Sequence, residues 1–304
     1  QSPSLDHISF HIPKGQCVVL CGKSGCGKTT LLRIINGLAC HFYQGRLEGD
    51  ISVSGMVPAS ASLPELARVV GSVFQNPRTQ FFHTDTTGEL AFQLENQNMP
   101  REQMRRRLDQ VVTELGLESL MERSIFALSG GEKQQIACGS VYASMPQVVV
   151  LDEPSSNLDL ESIRKLRGLL ETMKASGVTI LVSEHRLWYL HGLADRYLLL
   201  ESGKLRGDLT PEQMTALDPQ TRQALGLRAV DRWQLFSLCP QARPKEWMEP
   251  GLELRSLFCL RGRREVLHIS HLQIPKGAIV AVVGRNGAGK STLLLTLSGL
   301  LRFR

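Results

Sequence analysis

The sequence predicts an α/β fold in which a parallel β-sheet is covered by crossover helices. Short, β-branched apolar runs occur at Cys17–Cys21, 148–151 and Thr179–Ser183, each bounded by polar residues or glycine, and are typical of buried parallel strands. Helical spacing appears between these runs. In addition, the segment at 12–38 recurs at 274–300. Strands that alternate with helices indicate a sheet with helical connections, and the recurrence indicates more than one domain.

Helical spacing is clearest after Pro100. The apolar residues there recur at i, i+4, i+7, i+8 and i+11 and are Met104, Leu108, Val111, Val112 and Leu115. This period places them on one face of a helix, which Pro100 begins and Gly116 ends. The helix belongs to a predicted helical insert at about 88–126.

The recurring segment predicts a duplicated domain. The two copies align without a gap at an offset of 262, with 14 of 27 positions identical, and repeats at this spacing are not those of a solenoid. We predict a first domain at 1–205 and a connecting extension at 206–250, which holds a helix at 211–225. Residues 251–304 are predicted to form the amino-terminal part of a truncated second copy. We interpret the chain as a piece of a longer tandem protein.

The composition is that of a globular protein. The chain has 304 residues, of which 42% are hydrophobic and 21% charged, which excludes a disordered or fibrous class. It contains no apolar run long enough to span a membrane and no CxxC pair among its 7 cysteines. The net charge of +6 is mildly basic. It permits an anionic surface as partner but does not imply one, and we predict no nucleic-acid partner.

Both copies contain the pattern GxxxxGK[S/T] between an apolar strand and a helix. Its glycines let backbone N–H groups converge on phosphate oxygens, and the following helix N-terminus adds roughly half a positive charge. The lysine of the pattern reaches the terminal phosphates, and the next hydroxyl ligates Mg²⁺. The candidate phosphate-binding residues are Gly22, Lys23, Ser24, Gly25, Cys26, Gly27, Lys28, Thr29 and Thr30, and in the second copy Gly284, Arg285, Asn286, Gly287, Ala288, Gly289, Lys290, Ser291 and Thr292.

The apolar strand at 148–151 leads directly into Asp152 and Glu153. Ligands bind at the carboxyl edge of such sheets, so Asp152 is a candidate for the metal shell. Glu153 is placed to polarise an attacking water and not to bind the metal directly. The alternative, in which both carboxylates only cap the strand, is less favoured beside two phosphate-binding loops.

The sequence L-S-G-G-E occupies 128–132. Ser129, Gly130 and Gly131 open a helix and form a second anion-binding N-terminus in the first domain. One nucleotide does not need both N-termini from one protomer. The sequence resembles the signature of the nucleotide-binding domains of the ABC ATPase family, in which the phosphate loop of one domain and the signature of a partner bind one nucleotide together.

Further motifs resemble this family and occur in its order. Gln75 in V-F-Q-N-P resembles the Q-loop glutamine, the S-S-N-L-D sequence at 155–159 resembles the D-loop, and His185 in V-S-E-H-R resembles the switch histidine that contacts the γ-phosphate. The resemblance covers 5 to about 205, and residues 252–304 as the start of a second copy. It implies an ABC-type P-loop NTPase fold, with ATP and Mg²⁺ as ligands.

The roles of single residues follow from the resemblance. It implies ATP binding by the phosphate-loop and signature residues named above. The implied catalytic residues are Glu153, His185 and Gln75. The implied residues of the Mg²⁺ site are Thr29, Gln75, Asp152 and Ser291. The implied partner is a second nucleotide-binding domain, in the longer chain or in a homologous subunit.

Four segments resemble the tandem ATPases of energy-coupling-factor (ECF) transporters, one of which is L-D-E-P-S-S-N-L-D at 151–159. The other three are Q-N-P-R-T-Q-F-F at 75–82, T-T-G-E-L-A-F-Q-L-E-N at 86–96 and E-H-R-L-W-Y-L at 184–190. The resemblance implies ATP hydrolysis that powers uptake of a vitamin or a metal ion. It also implies a cytoplasmic, peripheral location at the inner face of the membrane, beneath a transmembrane coupling subunit and a substrate-binding membrane subunit. The resemblance implies that part of the set Phe81, Phe82 and Phe92 contacts those subunits; the alternative is that these residues form the core of the insert.

Other members of the family fit less well. Chromosome-type ATPases need hundreds of residues between the phosphate loop and the signature, and about a hundred separate Lys28 from Ser129. Repair-type ATPases with zinc modules need CxxC pairs. A translation-type tandem ATPase needs a long charged linker, whereas 205–250 is short and interrupted by proline. This type remains the runner-up, together with an interaction module that binds ATP without turnover.

Overall fold

The computed structural model describes residues 3–43, 45–231, 250–261, 264–284 and 286–301. These residues divide into two compact units. The first comprises 3–158 and 162–231, and the second comprises 159–161 together with the described residues from 250 onward. The described residues contain no helix that is both long and apolar enough to cross a membrane.

The first unit is built from strands and helices that alternate along most of the chain. In order they are β1 (Cys17–Cys21), α1 (Lys28–Ile35), α2 (Leu38–Phe42), α3 (Leu63–Val69), β2 (Val70–Val73), α4 (Thr86–Asn96), α5 (Arg101–Leu115), α6 (Gly130–Ala143), β3 (Val148–Asp152), α7 (Leu160–Ala175), β4 (Thr179–Ser183), β5 (Arg196–Glu201), β6 (Lys204–Leu209), α8 (Pro211–Ala216) and α9 (Pro219–Ala224).

The six strands form one mixed sheet in the order β2-β3-β4-β1-β5-β6. All neighbours pair in parallel except β5 and β6, which are antiparallel. The three strands predicted from sequence are confirmed as β1, β3 and β4. The register pairs Asp152 at the end of β3 with Ser183 at the end of β4, so both strands deliver polar residues to the same edge.

Strand β1 lies at the centre of the sheet and is buried on both faces. Alternate residues point to opposite faces. Cys17, Val19 and Cys21 pack in one hydrophobic cluster with the helical insert and α7, whereas Val18 and Leu20 pack in a second cluster with α1. Because both faces are covered, the strand is apolar throughout, which explains why the sequence reveals it so clearly.

Helix α5 confirms the helix predicted after Pro100. Pro100 is its N-cap and Gly116, in a left-handed conformation, its C-cap. Val111 and Leu115 are buried in the core. The remaining apolar residues of the face pack against it and are Met104, Leu108 and Val112.

The helix predicted at 211–225 is wrong in one respect, because the structure has two short helices there. Asp218 accepts hydrogen bonds from the backbone N–H groups of Gln220 and Thr221, and Pro219 begins the new helix α9. Proline favours a helix start and disfavours a helix interior, so the chain breaks at this point. Beyond α9, Leu227 and Val230 are buried in the core of the first unit.

The described part of the second unit contains β7 (Pro250–Arg261), β8 (Arg264–Pro275) and α10 (Lys290–Leu297). Strands β7 and β8 pair as an antiparallel ribbon. The residues at 279–283, which align with β1, are exposed and outside any strand. The domain bounds and the truncated second copy therefore stay predictions.

Candidate nucleotide-binding site

The first phosphate loop connects β1 to α1 and turns through three glycines with positive φ. The φ angles of Gly22, Gly25 and Gly27 are 140°, 76° and 107°. At Gly22 a side chain would also collide with its surroundings, because an added Cβ would lie 2.1 Å from the carbonyl oxygen of Leu200. This glycine therefore lets the loop cross close to the end of β5.

Lys28 is folded back into the loop. Its Nζ donates to the carbonyl oxygens of Gly22 and Lys23 at 2.9 and 3.0 Å, and the residue is buried. It is also the first residue of α1, whose N-cap Gly27 makes no side-chain cap. A helix start without a side-chain cap, next to an ammonium group, is suited to an anion.

The three predicted catalytic residues meet at the carboxylate of Glu153, which contacts the other two. Oε1 of Glu153 lies 3.1 Å from Nε2 of His185, and Oε2 accepts a hydrogen bond from Nε2 of Gln75 at 3.2 Å. Glu153 itself is held by its backbone N–H, which donates to the carbonyl oxygen of Ser183 at 2.9 Å. Its side chain is 27% exposed, so water has access to it.

Asp152, which the sequence predicts in a metal site, has an oxygen that is free to accept a ligand. Its Oδ1 is buried and has no hydrogen-bond partner among the described residues. Thr29, at the end of the phosphate loop, is half-buried. A hydroxyl, a carboxylate and the amide oxygen of Gln75 are oxygen ligands of the kind that Mg²⁺ prefers. The donor set is therefore suited to Mg²⁺.

The signature forms a separate group on the first turn of α6. Ser129 caps the helix, accepting from the N–H of Glu132, whose carboxylate accepts the N–H of Ser129 at 2.7 Å. Arg123 donates to the other oxygen of Glu132 at 2.9 Å. Burial alone would raise the pKa of Glu132, but the hydrogen bonds from Ser129 and Arg123 outweigh it and lower that pKa.

The second phosphate loop has the same local shape. Gly284, Gly287 and Gly289 have φ angles of 154°, 82° and 88°, and Nζ of Lys290 donates to the carbonyl oxygen of Gly284 at 2.7 Å. Helix α10 begins at Lys290. Arg285, a predicted ATP-binding residue, lies outside the described residues.

The three phenylalanines that the sequence singles out differ in their surroundings. Phe81 packs against the core. Phe82 is 74% exposed and stacks on Phe92 with a distance of 4.6 Å between ring centroids. The buried carboxylate of Glu89 fixes this turn by accepting the N–H groups of Phe82 and His83.

Sequence analysis missed two residues that support the site. Gln80 accepts the N–H of Phe74 and donates to the carbonyl oxygen of Ser72, which anchors the chain just before Gln75. Glu184 is buried beside His185. The signal for Glu184 was its position, because a charged residue that directly follows a buried strand needs partners.

The fold and the site define a P-loop ATPase domain of the ABC class. The chain belongs to the ABC transporter family: the family profile with that description matches residues 5–156 and 267–303.

Similar proteins are described as ABC transporter ATP-binding proteins. One from Treponema denticola is 45% identical over 98% of this chain and 61% of its own length. One from Sulfurisphaera tokodaii is 33% identical over 99% of this chain and 61% of its own length. The chain thus spans about three fifths of the length of these relatives.

Two solved structures resemble the chain. The first is cbiO1 from Clostridium perfringens, part of the ABC transporter complex cbiONQ. It has a TM-score of 0.62 and 25% identity over 77% of this chain and 91% of that chain. The second is a dimeric ATP-binding cassette in a post-hydrolysis state, bound to ADP and Pi. It has a TM-score of 0.59 and 23% identity over 68% of this chain and 90% of that chain, and shows a common fold.

Proposed function

We propose that the chain binds and hydrolyses ATP and powers a membrane importer of the ECF type, in the class that takes up vitamins or metal ions. The observation that carries the hydrolytic part is the carboxylate of Glu153 between His185 and Gln75. The ECF type is supported by the sequence resemblance and by the similarity to cbiO1.

The chemistry consists mainly of positioning and electrostatics. Lys28 and the first-turn N–H groups of α1 bind the phosphates. Glu153 orients and polarises the attacking water, and His185 contacts the γ-phosphate from the neighbouring strand end. Thr29, Asp152 and Gln75 would hold Mg²⁺, and the bound ion would neutralise charge on the phosphate oxygens.

The signature requires a partner domain. Ser129, Gly130 and Gly131 present an anion-binding helix start of their own, so we propose that ATP is bound between two nucleotide-binding domains. Turnover then depends on dimer formation. The ATPase rate per molecule, measured against protein concentration, tests this. A rise supports the proposal, and no hydrolysis at any concentration would leave an ATP-dependent interaction module.

The membrane partner is proposed from the stacked pair of Phe82 and Phe92. We propose that these rings contact the transmembrane coupling subunit, with the chain peripheral at the cytoplasmic face. Phe82→Glu should abolish co-purification of that subunit from membranes. Phe42→Glu, at a ring that is 70% exposed on α2, is the matched control and should leave it unchanged. Equal recovery with both variants would reject this surface.

A further inference from the structure

Glu184 is a buried carboxylate whose two oxygens are both engaged. It follows β4 directly and is 2% exposed. Its Oε1 accepts the backbone N–H of Ser155 at 2.9 Å and the hydroxyl of Tyr189 at 3.0 Å. Its Oε2 accepts the backbone N–H groups of His185 and Arg186 at 2.8 and 3.0 Å. All four partners are donors, which suits a carboxylate and does not suit an amide.

The same network includes the side chain of Arg186. Its Nη1 donates to the carbonyl oxygens of Ser155 and Leu158 at 3.3 and 3.1 Å. The loop at 155–158 is thus held through a backbone N–H by Glu184 and through two carbonyl groups by Arg186. Two side chains next to His185 therefore fix the loop that follows Glu153.

The phenol of Tyr189 remains a donor to this carboxylate. Burial raises the pKa of Tyr189 well above its ordinary value, and the neighbouring Glu184 adds to the shift. The hydroxyl therefore stays protonated at neutral pH. A buried carboxylate is costly unless such donors satisfy it, so the network is stable only as a complete set.

We propose that Glu184 is a positioning residue that holds His185 and the loop at 155–158 in one geometry around Glu153. The proposal rests on the proposed hydrolysis of ATP. His185 and Glu153 meet at 3.1 Å. Glu184 binds the backbone of His185 on one side of this contact and that of Ser155, two residues beyond Glu153, on the other. Glu184 therefore positions the backbone on both sides of the contact between His185 and Glu153.

The test is Glu184→Gln, which keeps the shape of the side chain. In either orientation, the amide group of glutamine would face N–H donors. We expect kcat to fall by about tenfold or more, because small misplacements of catalytic groups are costly. The KM for ATP should stay within about twofold, because the phosphates are bound by the P-loop. Glu102→Gln, the same change at an exposed surface pair, should alter neither.

Amide hydrogen exchange provides a second readout on the full chain. In Glu184→Gln, the N–H groups of Ser155 and His185 should exchange faster, while those of the distant α5 should not. Unchanged kcat and unchanged exchange would overturn the proposal, as would a loss of ATP affinity in proportion to kcat. If the wild-type chain shows no turnover, the proposed function fails. The exchange data then still decide whether Glu184 fixes both segments.

A milder variant covers the case in which Glu184→Gln does not fold. Tyr189→Phe removes one donor and leaves the carboxylate and the three N–H bonds in place. We expect kcat to fall about two- to fivefold at constant KM, as for the loss of one hydrogen bond in a network. Turnover equal to that of the wild type would contradict a positioning network.

Discussion

The two phosphate loops share a backbone but differ in their surroundings. Each turns through three glycines with positive φ, and each lysine donates to the first glycine of its loop. The first loop follows β1, which is buried at the centre of a six-stranded sheet. The residues before the second loop are exposed. Relative to an extended reference chain, the accessibility of Ile279 is 103% and that of Val283 is 85%.

The difference shows that the shape of a phosphate loop is a local feature, whereas a catalytic site also needs residues from other strands. Glycine positions and the helix that follows are local features, and both loops have them. The carboxylate, the histidine and the glutamine of the first site come from other strand ends, which only a complete sheet brings together. The comparison predicts that, among the residues that the structure describes, the catalytic groups belong to the first site.

The largest effect should come from Glu153→Gln. If only the first site is catalytic, turnover should fall by about 10²- to 10⁴-fold, the usual range for a positioned base. Binding of ATP should remain, because the P-loop is unchanged. Steady-state hydrolysis and a nucleotide titration check this. Activity close to that of the wild type would show that Glu153 is not the base, and would break the comparison.

The next effect concerns ATP affinity in a matched pair. Lys28→Ala removes a buried charged donor and should weaken ATP binding by about 10- to 100-fold, the range for charge-assisted hydrogen bonds. Lys290→Ala should change the affinity by less than about twofold, because the described residues that lead into its loop are exposed and outside any strand. Calorimetric titration of both variants with Mg-ATP decides the matter. Equal losses would mean that both loops bind nucleotide in this chain.

Replacing the first glycine of each phosphate loop with alanine should destabilise the protein to different extents. Gly22→Ala places a Cβ 2.1 Å from a backbone oxygen, whereas the nearest atom to the Cβ of Gly284→Ala, on Ala288, is 3.5 Å away. Both variants strain φ. We expect a loss of about 3 kcal/mol in the free energy of unfolding for the first and about 1 kcal/mol for the second. Urea denaturation measures both, and a reversed order would refute the packing argument.

The smallest effect concerns the signature, which the sequence contains only in the first copy. Ser129→Ala removes the cap of α6 and should lower the free energy of unfolding by about 1 kcal/mol.

The lowered pKa of Glu132 contributes stability that is present above its ordinary value of 4.5 and lost as pH falls towards the lower folded value. Glu132→Gln should therefore weaken the acid dependence of the melting temperature. An unaltered pH profile would assign that dependence to other carboxylates.

Sequence reasoning predicted the parts of the fold with a strong local pattern. Strand β1 is apolar because both faces are buried, and α5 has a regular apolar face between Pro100 and Gly116. Strand β6 alternates half-buried and exposed residues and follows a tight turn, and its short pattern did not reveal that it pairs antiparallel with β5. The break at Pro219 lies inside the segment 211–225, for which the sequence predicts a single helix.

The same limit applies to the candidate site. The order of motifs suggested Glu153, His185 and Gln75, and the structure places their side chains within hydrogen-bonding distance. The motifs did not single out Glu184, because its position after a buried strand indicates that it needs partners but does not identify them. Three of these partners are local, namely the N–H groups of His185 and Arg186 and the hydroxyl of Tyr189. The fourth, the N–H of Ser155, is a tertiary contact that no local motif contains.

The burial of Leu227 and Val230 has a practical consequence for anyone who shortens this protein. A version that ended at residue 205 would lose most of β6 and leave β5 as an open sheet edge, a known starting point for aggregation. It would also uncover the apolar surface against which these two side chains pack. A version for crystallisation of the first unit should therefore extend past residue 230.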